Sequence, residues 1–119
     1  MITANELRIG NALEYFVEDS LAESEWILNI VDADDIALAC KDEYFNKYYR
    51  PIHLTPEILE KCGFENWDKN KYSNDVLCLT INGEGFLYLA NQRHVNIFYL
   101  HQLQNLYFSL TGEELTFKP

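Results

Sequence analysis

The chain has 119 residues, 48% of them apolar, with two Trp, eight Tyr and seven Phe, and a net charge of −10. That length fits a single small domain, and that aromatic and apolar content excludes intrinsic disorder. The apolar runs break within a few residues, far short of the ~20 that a membrane-spanning helix needs, and the acidity weighs against direct binding of nucleic-acid phosphates.

The charge is unevenly placed. Residues 1–45 hold eleven acidic and two basic side chains, a balance of −9, whereas residues 46–119 hold eight acidic and seven basic, a balance of −1. An acidic first third attracts a basic partner or imitates a phosphate backbone. The plainer alternative is a set of solvated carboxylates that keep a small protein soluble.

In chain order, Leu13, Tyr15 and Val17 alternate with Ala12, Glu14 and Phe16, which predicts a strand. Residues 18–25 read as an acidic loop. Trp26, Leu28 and Ile30 alternate with Ile27, Asn29 and Val31, and the alternation resumes at Ile36, Leu38 and Cys40 after Asp32-Ala33-Asp34-Asp35. This pattern predicts a hairpin with an acidic turn, its strands covered on both faces. Residues 42–53 form a connector with aromatic anchors that ends at Arg50-Pro51.

Thr55-Pro56-Glu57 offers a capping hydroxyl, a first-turn proline and a first-turn acid, and Gly63 supplies the stop. A short helix is predicted over residues 56–62, with Ile58, Leu59 and Cys62 buried and Phe64 packing back beyond the glycine. Residues 65–75 read as a polar loop carrying Trp67 and Tyr72. Three strands, at 76–81, 86–90 and 95–100, make a β-meander by their turn chemistry. Leu103, Leu106, Tyr107 and Leu110 then follow helical spacing up to Gly112, and Leu115-Thr116-Phe117 suggests a last short strand. The whole is a small α+β domain: N-terminal antiparallel strands, a short central helix, a C-terminal meander and an amphipathic helix.

Local motifs for chemistry are missing. Asp32, Asp34 and Glu43 fall at calcium-loop positions, but Ile36 and Ala37 stand where an oxygen ligand and a glycine are required. His53, His94 and His101 lack the i+3 or i+4 partners of a helical zinc site. No elbow motif marks Ser20, Ser24, Ser73 or Ser109, and the glycines at 83 and 85 precede a strand rather than a phosphate-binding helix. No metal, cofactor or catalytic residue is therefore expected, unless a histidine meets a carboxylate in a deep pocket of the fold. Cys40, Cys62 and Cys78 are an odd set without a C-x-x-C pair, which fits a reducing cytoplasm.

Two clusters remain as binding candidates. On the last helix Phe108 falls among His101, Gln104 and Asn105, on the side away from the apolar stripe. A ring flanked by amides can stack a nucleotide-like ligand or anchor a protein, or it can be covered by the sheet. Tyr48-Tyr49-Arg50 places a guanidinium beside two phenols, suited to an anion or an aromatic group, or simply pins the connector to the core.

Glu6-Leu7-Arg8-Ile9-Gly10-Asn11, Pro51-Ile52-His53-Leu54-Thr55-Pro56-Glu57 with Gly63-Phe64, and His101-Gln102-Leu103-Gln104-Asn105-Leu106-Tyr107-Phe108 with Leu110-Thr111-Gly112-Glu113-Glu114-Leu115 follow one another along the chain. Together they resemble a family of small uncharacterised proteins of Bacteroidetes genomes and their phages or prophages. The resemblance brings no activity or cofactor. It implies a phage-type protein working in the bacterial cytoplasm.

The expected function is a non-enzymatic accessory protein. It would bind a host protein with a basic surface through the acidic first third, including Asp32, Asp34 and Asp35. The alternative is a nucleotide-type ligand binder using the last helix. Exposed aromatics and strand edges also make a homo-oligomer an open option.

Overall fold

The computed structural model describes residues 2–17, 25–41, 45–82, 85–90 and 93–118. It is an α+β protein with a three-stranded and a five-stranded antiparallel sheet. Its contacts divide into two compact units, Met1–Ile52 and His53–Pro119.

In the first unit, β1 (Ala12–Val17) lies between β2 (Glu25–Ile30) and β3 (Tyr49–Pro51), antiparallel to both. The pairing of β1 with β2 runs without interruption from Ala12 opposite Ile30 to Val17 opposite Glu25. Two helices follow β2: α1 (Ala33–Lys41) and the single turn α2 (Phe45–Tyr48). Ile2, Leu7, Leu13, Val31, Phe45 and Tyr49 form the core, with Tyr15, Ile36 and Ala39 packed against it. The Asn46 side chain anchors the chain's start, accepting from Ile2 N–H at 2.7 Å and donating to Ile2 C=O at 2.9 Å.

The expected hairpin after β2 is replaced by α1, and the acidic turn becomes its N-terminus. Asp32 Oδ1 accepts from Asp35 N–H at 2.9 Å while Asp35 Oδ2 accepts from Asp32 N–H at 3.0 Å, a reciprocal cap. Asp34 and Asp35 in the first turn complement the helix dipole, as Lys41 does in the last. Ile36 and Ala39, three apart, turn to the core, while Leu38 and Cys40 are exposed. Alternation at Ile36, Leu38 and Cys40 thus came from a helix whose intervening residues are alanines. Of the predicted loop at 18–25, residues 18–24 lie outside the described residues, and Glu25 is the first residue of β2.

In the second unit, Thr55 caps α3 (Pro56–Lys61) by accepting from Ile58 N–H at 3.2 Å. Gly63, at φ 86°, donates to Glu60 C=O, and Phe64 N–H donates to Leu59 C=O at 2.9 Å. This is a Schellman ending, with Leu59 and Phe64 both buried.

The second sheet runs in sequential order: β4 (Glu65–Asp68), β5 (Lys71–Ser73), β6 (Cys78–Asn82), β7 (Gly85–Ala90) and β8 (Arg93–Ile97). The expected meander is its second half. Residues 65–75, expected as a loop, supply its first two strands. Polar residues hid them because every residue of β4 is exposed, and the Asn66 amide closes the turn onto Asp68 and Lys71 carbonyls. Residues 83–84 and 91–92, which fall within the two turns expected for the meander, lie outside the described residues.

Helix α4 (Leu100–Thr111) ends at Gly112, whose φ of 73° lets its N–H reach Phe108 C=O at 2.7 Å. No strand forms at 115–117. Leu115 is nevertheless buried, and Lys118 N–H donates to Lys61 C=O at 3.0 Å.

Candidate functional site

Side chains alternate across a strand, so the β1–β2–β3 register places Glu14 and Phe16, Trp26, Leu28 and Ile30, and Arg50 on one face. Phe16 packs on Trp26 with ring centroids 5.2 Å apart. The Arg50 guanidinium lies 4.1 Å from the Trp26 centroid, and its Nε donates to Glu14 Oε1 at 3.0 Å. This ion pair is partly solvent-exposed, and its contribution is small. Its effect is to hold a cation over the Trp26 ring. Beside it, Leu28 and Ile30 are 38% and 55% exposed, and Ile27, on the opposite face of the same strand, is 42% exposed.

Tyr48, Tyr49 and Arg50 therefore do not form one cradle. Tyr48 is exposed near Lys47, whose Nζ sits 5.6 Å from its ring centroid. Tyr49 turns inward, stacked on Phe45 at 4.1 Å and 8°, and its hydroxyl donates to Asp35 Oδ1 at 2.9 Å. Arg50, one residue on, points to the other face.

The three aspartates separate in role as well. Asp35 also accepts from Asn29 Nδ2 at 3.3 Å. Burial pushes its pKa upward, but the Asp32 N–H, Tyr49 and Asn29 hydrogen bonds outweigh that, and the carboxyl titrates below the usual carboxylate value. Burial, and then the facing Asp35 carboxylate, raises the Tyr49 phenol in turn. Asp32 and Asp35 are thus parts of the unit's architecture. Asp34 is exposed and free of that cap.

On α4, the buried arc is Leu100, Leu103, Gln104 and His101, with Gln104 at 3% and His101 at 1% exposure. The expected stripe ran through Leu106 and Leu110, yet Leu110 is exposed. Leu100, left out of that stripe, turns the helix by about one residue's rotation (~100°). His101 and Gln104 move inward with it, Asn105 is half-buried, and Phe108 is left outward at 38% exposure. The His101 ring stacks on Tyr99 at 5.8 Å and 10°, and Tyr99 meets His53 at 5.1 Å. His101 and Gln104 are accordingly core side chains.

The hollows among the described residues include two in the second unit. One, of about 220 Å³, is lined by Gly63, Glu65, Ser73, Asn74 and Asp75, and the other, of about 440 Å³, by Glu60, Lys61, Cys62, Gly63, Thr116 and Lys118. Neither includes the α4 cluster. Burial raises the Cys62 thiol to about 12, so it is protonated at neutral pH and a poor nucleophile. Among the described residues no group of three or more His, Cys, Asp or Glu side chains is gathered to hold a metal, and no helix is long and apolar enough to cross a membrane.

The platform of Phe16, Trp26, Leu28 and Ile30 was not singled out from the sequence, where apolar residues on both sides of β2 argued for a covered strand. The available signal is Glu14 and Arg50, opposite charges that share the face of those positions on β1 and β3. Compared with known proteins, the chain matches no family model, no curated protein and no solved structure.

Proposed function

We propose that the chain is a non-enzymatic protein-binding module, of the phage-accessory kind, that holds a host protein with a basic surface on its N-terminal unit. The observation that carries this reading is β2, which leaves Ile27, Leu28 and Ile30 exposed between the exposed carboxylates Glu25, Asp32 and Asp34. Apolar side chains with an acidic rim suit a partner that is apolar at the centre of its contact and basic at the edge. The free cysteines Cys40, Cys62 and Cys78 fit a reducing cytoplasm.

Affinity capture from bacterial extract tests the reading, with the wild-type chain compared against a Leu28→Asp/Ile30→Asp variant. A basic protein retained by the wild type, lost from the variant and released at about 0.5 M salt is expected. Equal retention by both chains, or indifference to salt, contradicts it.

A nucleotide-type ligand on α4 keeps the exposed Phe108 beside Asn105 as its support. It loses His101 and Gln104 to the core.

A further inference from the structure

Resting on that interaction reading, we propose that the outer edge of β2 accepts an extended, basic-ended segment of the partner as an added strand. In the order β2–β1–β3 the outer edge of β2 pairs with no strand among the described residues. Exposed edges are normally blunted by short length, proline, a bulge or a charge. The opposite edge, β3, has three such features: it is three residues long, contains Pro51 and carries Arg50. β2 has none of them along its centre. It is six residues long, unbulged against β1, and uncharged from Trp26 to Ile30.

Both faces of β2 also offer contacts to an incoming strand. Trp26, Leu28 and Ile30 lie on one side and Ile27 and Asn29 on the other, so alternate residues of the occupant meet rows of side chains on each face. The strand spans about 17 Å at roughly 3.4 Å per residue. Exposed carboxylates close both ends, Glu25 at the start and Asp32 and Asp34 just past Ile30. The fitting occupant is therefore five or six residues of alternating apolar character with Lys or Arg at its ends. A second copy of this chain fits poorly. Antiparallel pairing of two β2 strands would set Glu25 of one copy towards Asp32 and Asp34 of the other, a like-charge contact.

The test uses the full chain and a library of ten-residue peptides with randomised sequence. Selected peptides are expected to carry Lys or Arg towards both ends with alternating apolar residues between. Their binding is expected to slow hydrogen exchange of amides within Glu25–Ile30. Methylating the peptide nitrogens that face β2 should abolish binding, and methylating the alternate set should not. A Glu25→Gln/Asp34→Asn variant, which leaves the Asp32–Asp35 cap intact, should bind roughly five- to tenfold more weakly. No enrichment relative to the Leu28→Asp/Ile30→Asp chain overturns the proposal. So does concentration-dependent self-association that protects β2, which would assign the edge to a second copy. Basic peptides that bind while β2 exchange is unchanged overturn strand addition alone and leave the interaction reading standing.

Discussion

Asp35 and Tyr49 form the most exacting test of how the acidic first third is built. Asp35→Ala removes three hydrogen bonds to its carboxylate, from Tyr49 Oη at 2.9 Å, Asp32 N–H at 3.0 Å and Asn29 Nδ2 at 3.3 Å. Bonds to a charged acceptor contribute about 1.5–3 kcal/mol each when sheltered, and these are partly solvated, so a total loss of ~2–3 kcal/mol is expected. Tyr49→Phe keeps the stack on Phe45 and removes one bond, for a loss of ~1 kcal/mol. Because the two changes share that bond, the double variant should be less destabilised than the sum by ~1 kcal/mol. Urea unfolding followed by tryptophan fluorescence measures this in a Trp67→Phe background, which leaves Trp26 as the reporter in the first unit.

The pH dependence supplies an independent arm. Asp35 has a folded pKa below the usual 3.8, so it contributes stability that is fully present above about pH 5 and lost as the pH falls through that lowered value. The Tyr49 phenol is raised above its usual 10.0, so its contribution is present below pH 10 and is lost as the pH rises through the raised value. Asp35→Asn should flatten the acid limb and Tyr49→Phe the alkaline one. Strict additivity in the cycle, together with an unchanged acid limb in Asp35→Asn, would refute this account of the acidic cluster.

Three further outcomes follow from particular contacts. Gly85→Ala places a Cβ 2.7 Å from the Phe98 ring and 2.9 Å from the Ile97 carbonyl oxygen, and should cost about 1–3 kcal/mol in thermal or urea unfolding. Iodoacetamide at neutral pH should label the exposed Cys40 and Cys78 well before Cys62, with mass-spectrometric mapping as the readout; equal rates would contradict the buried, protonated Cys62 thiol. A thermal-shift panel of nucleotides should leave the unfolding temperature unchanged, whereas saturation at ~100 times the dissociation constant would add about 2.7 kcal/mol and favour a ligand site on α4.

Much of the fold was legible where local chemistry and periodicity agreed. Thr55, Pro56 and Gly63 mark both ends of α3 through hydrogen bonds that depend on those residue types. β1 and the meander follow from alternation. The pattern misleads where two periods coexist or where none is present. Ile36, Leu38 and Cys40 alternate like a strand, but the reciprocal cap between Asp32 and Asp35 starts a helix. β4 has no apolar alternation to read because every residue in it is exposed.

The candidate site was less legible, since burial is set by distant partners. The rotation of α4 that sinks His101 and Gln104 depends on how the whole helix packs, and its own spacing contains two possible stripes. Likewise, Tyr48-Tyr49-Arg50 is contiguous in sequence, but Tyr48 ends α2 while Tyr49 and Arg50 lie on opposite faces of β3. Of the three aspartates expected at a partner surface, Asp32 and Asp35 hold the cap of α1 and Asp35 is drawn inward, which leaves Asp32, Asp34 and Glu25 as the exposed acids beside β2.

The most direct measurement is a hydrogen-exchange footprint of the full chain with and without its captured partner. The interaction reading predicts slowed exchange from Glu25 to Asp34 and no change from Asn105 to Phe108. Protection confined to Asn105–Phe108, with Glu25–Asp34 unaltered, would contradict it and return the binding site to the last helix.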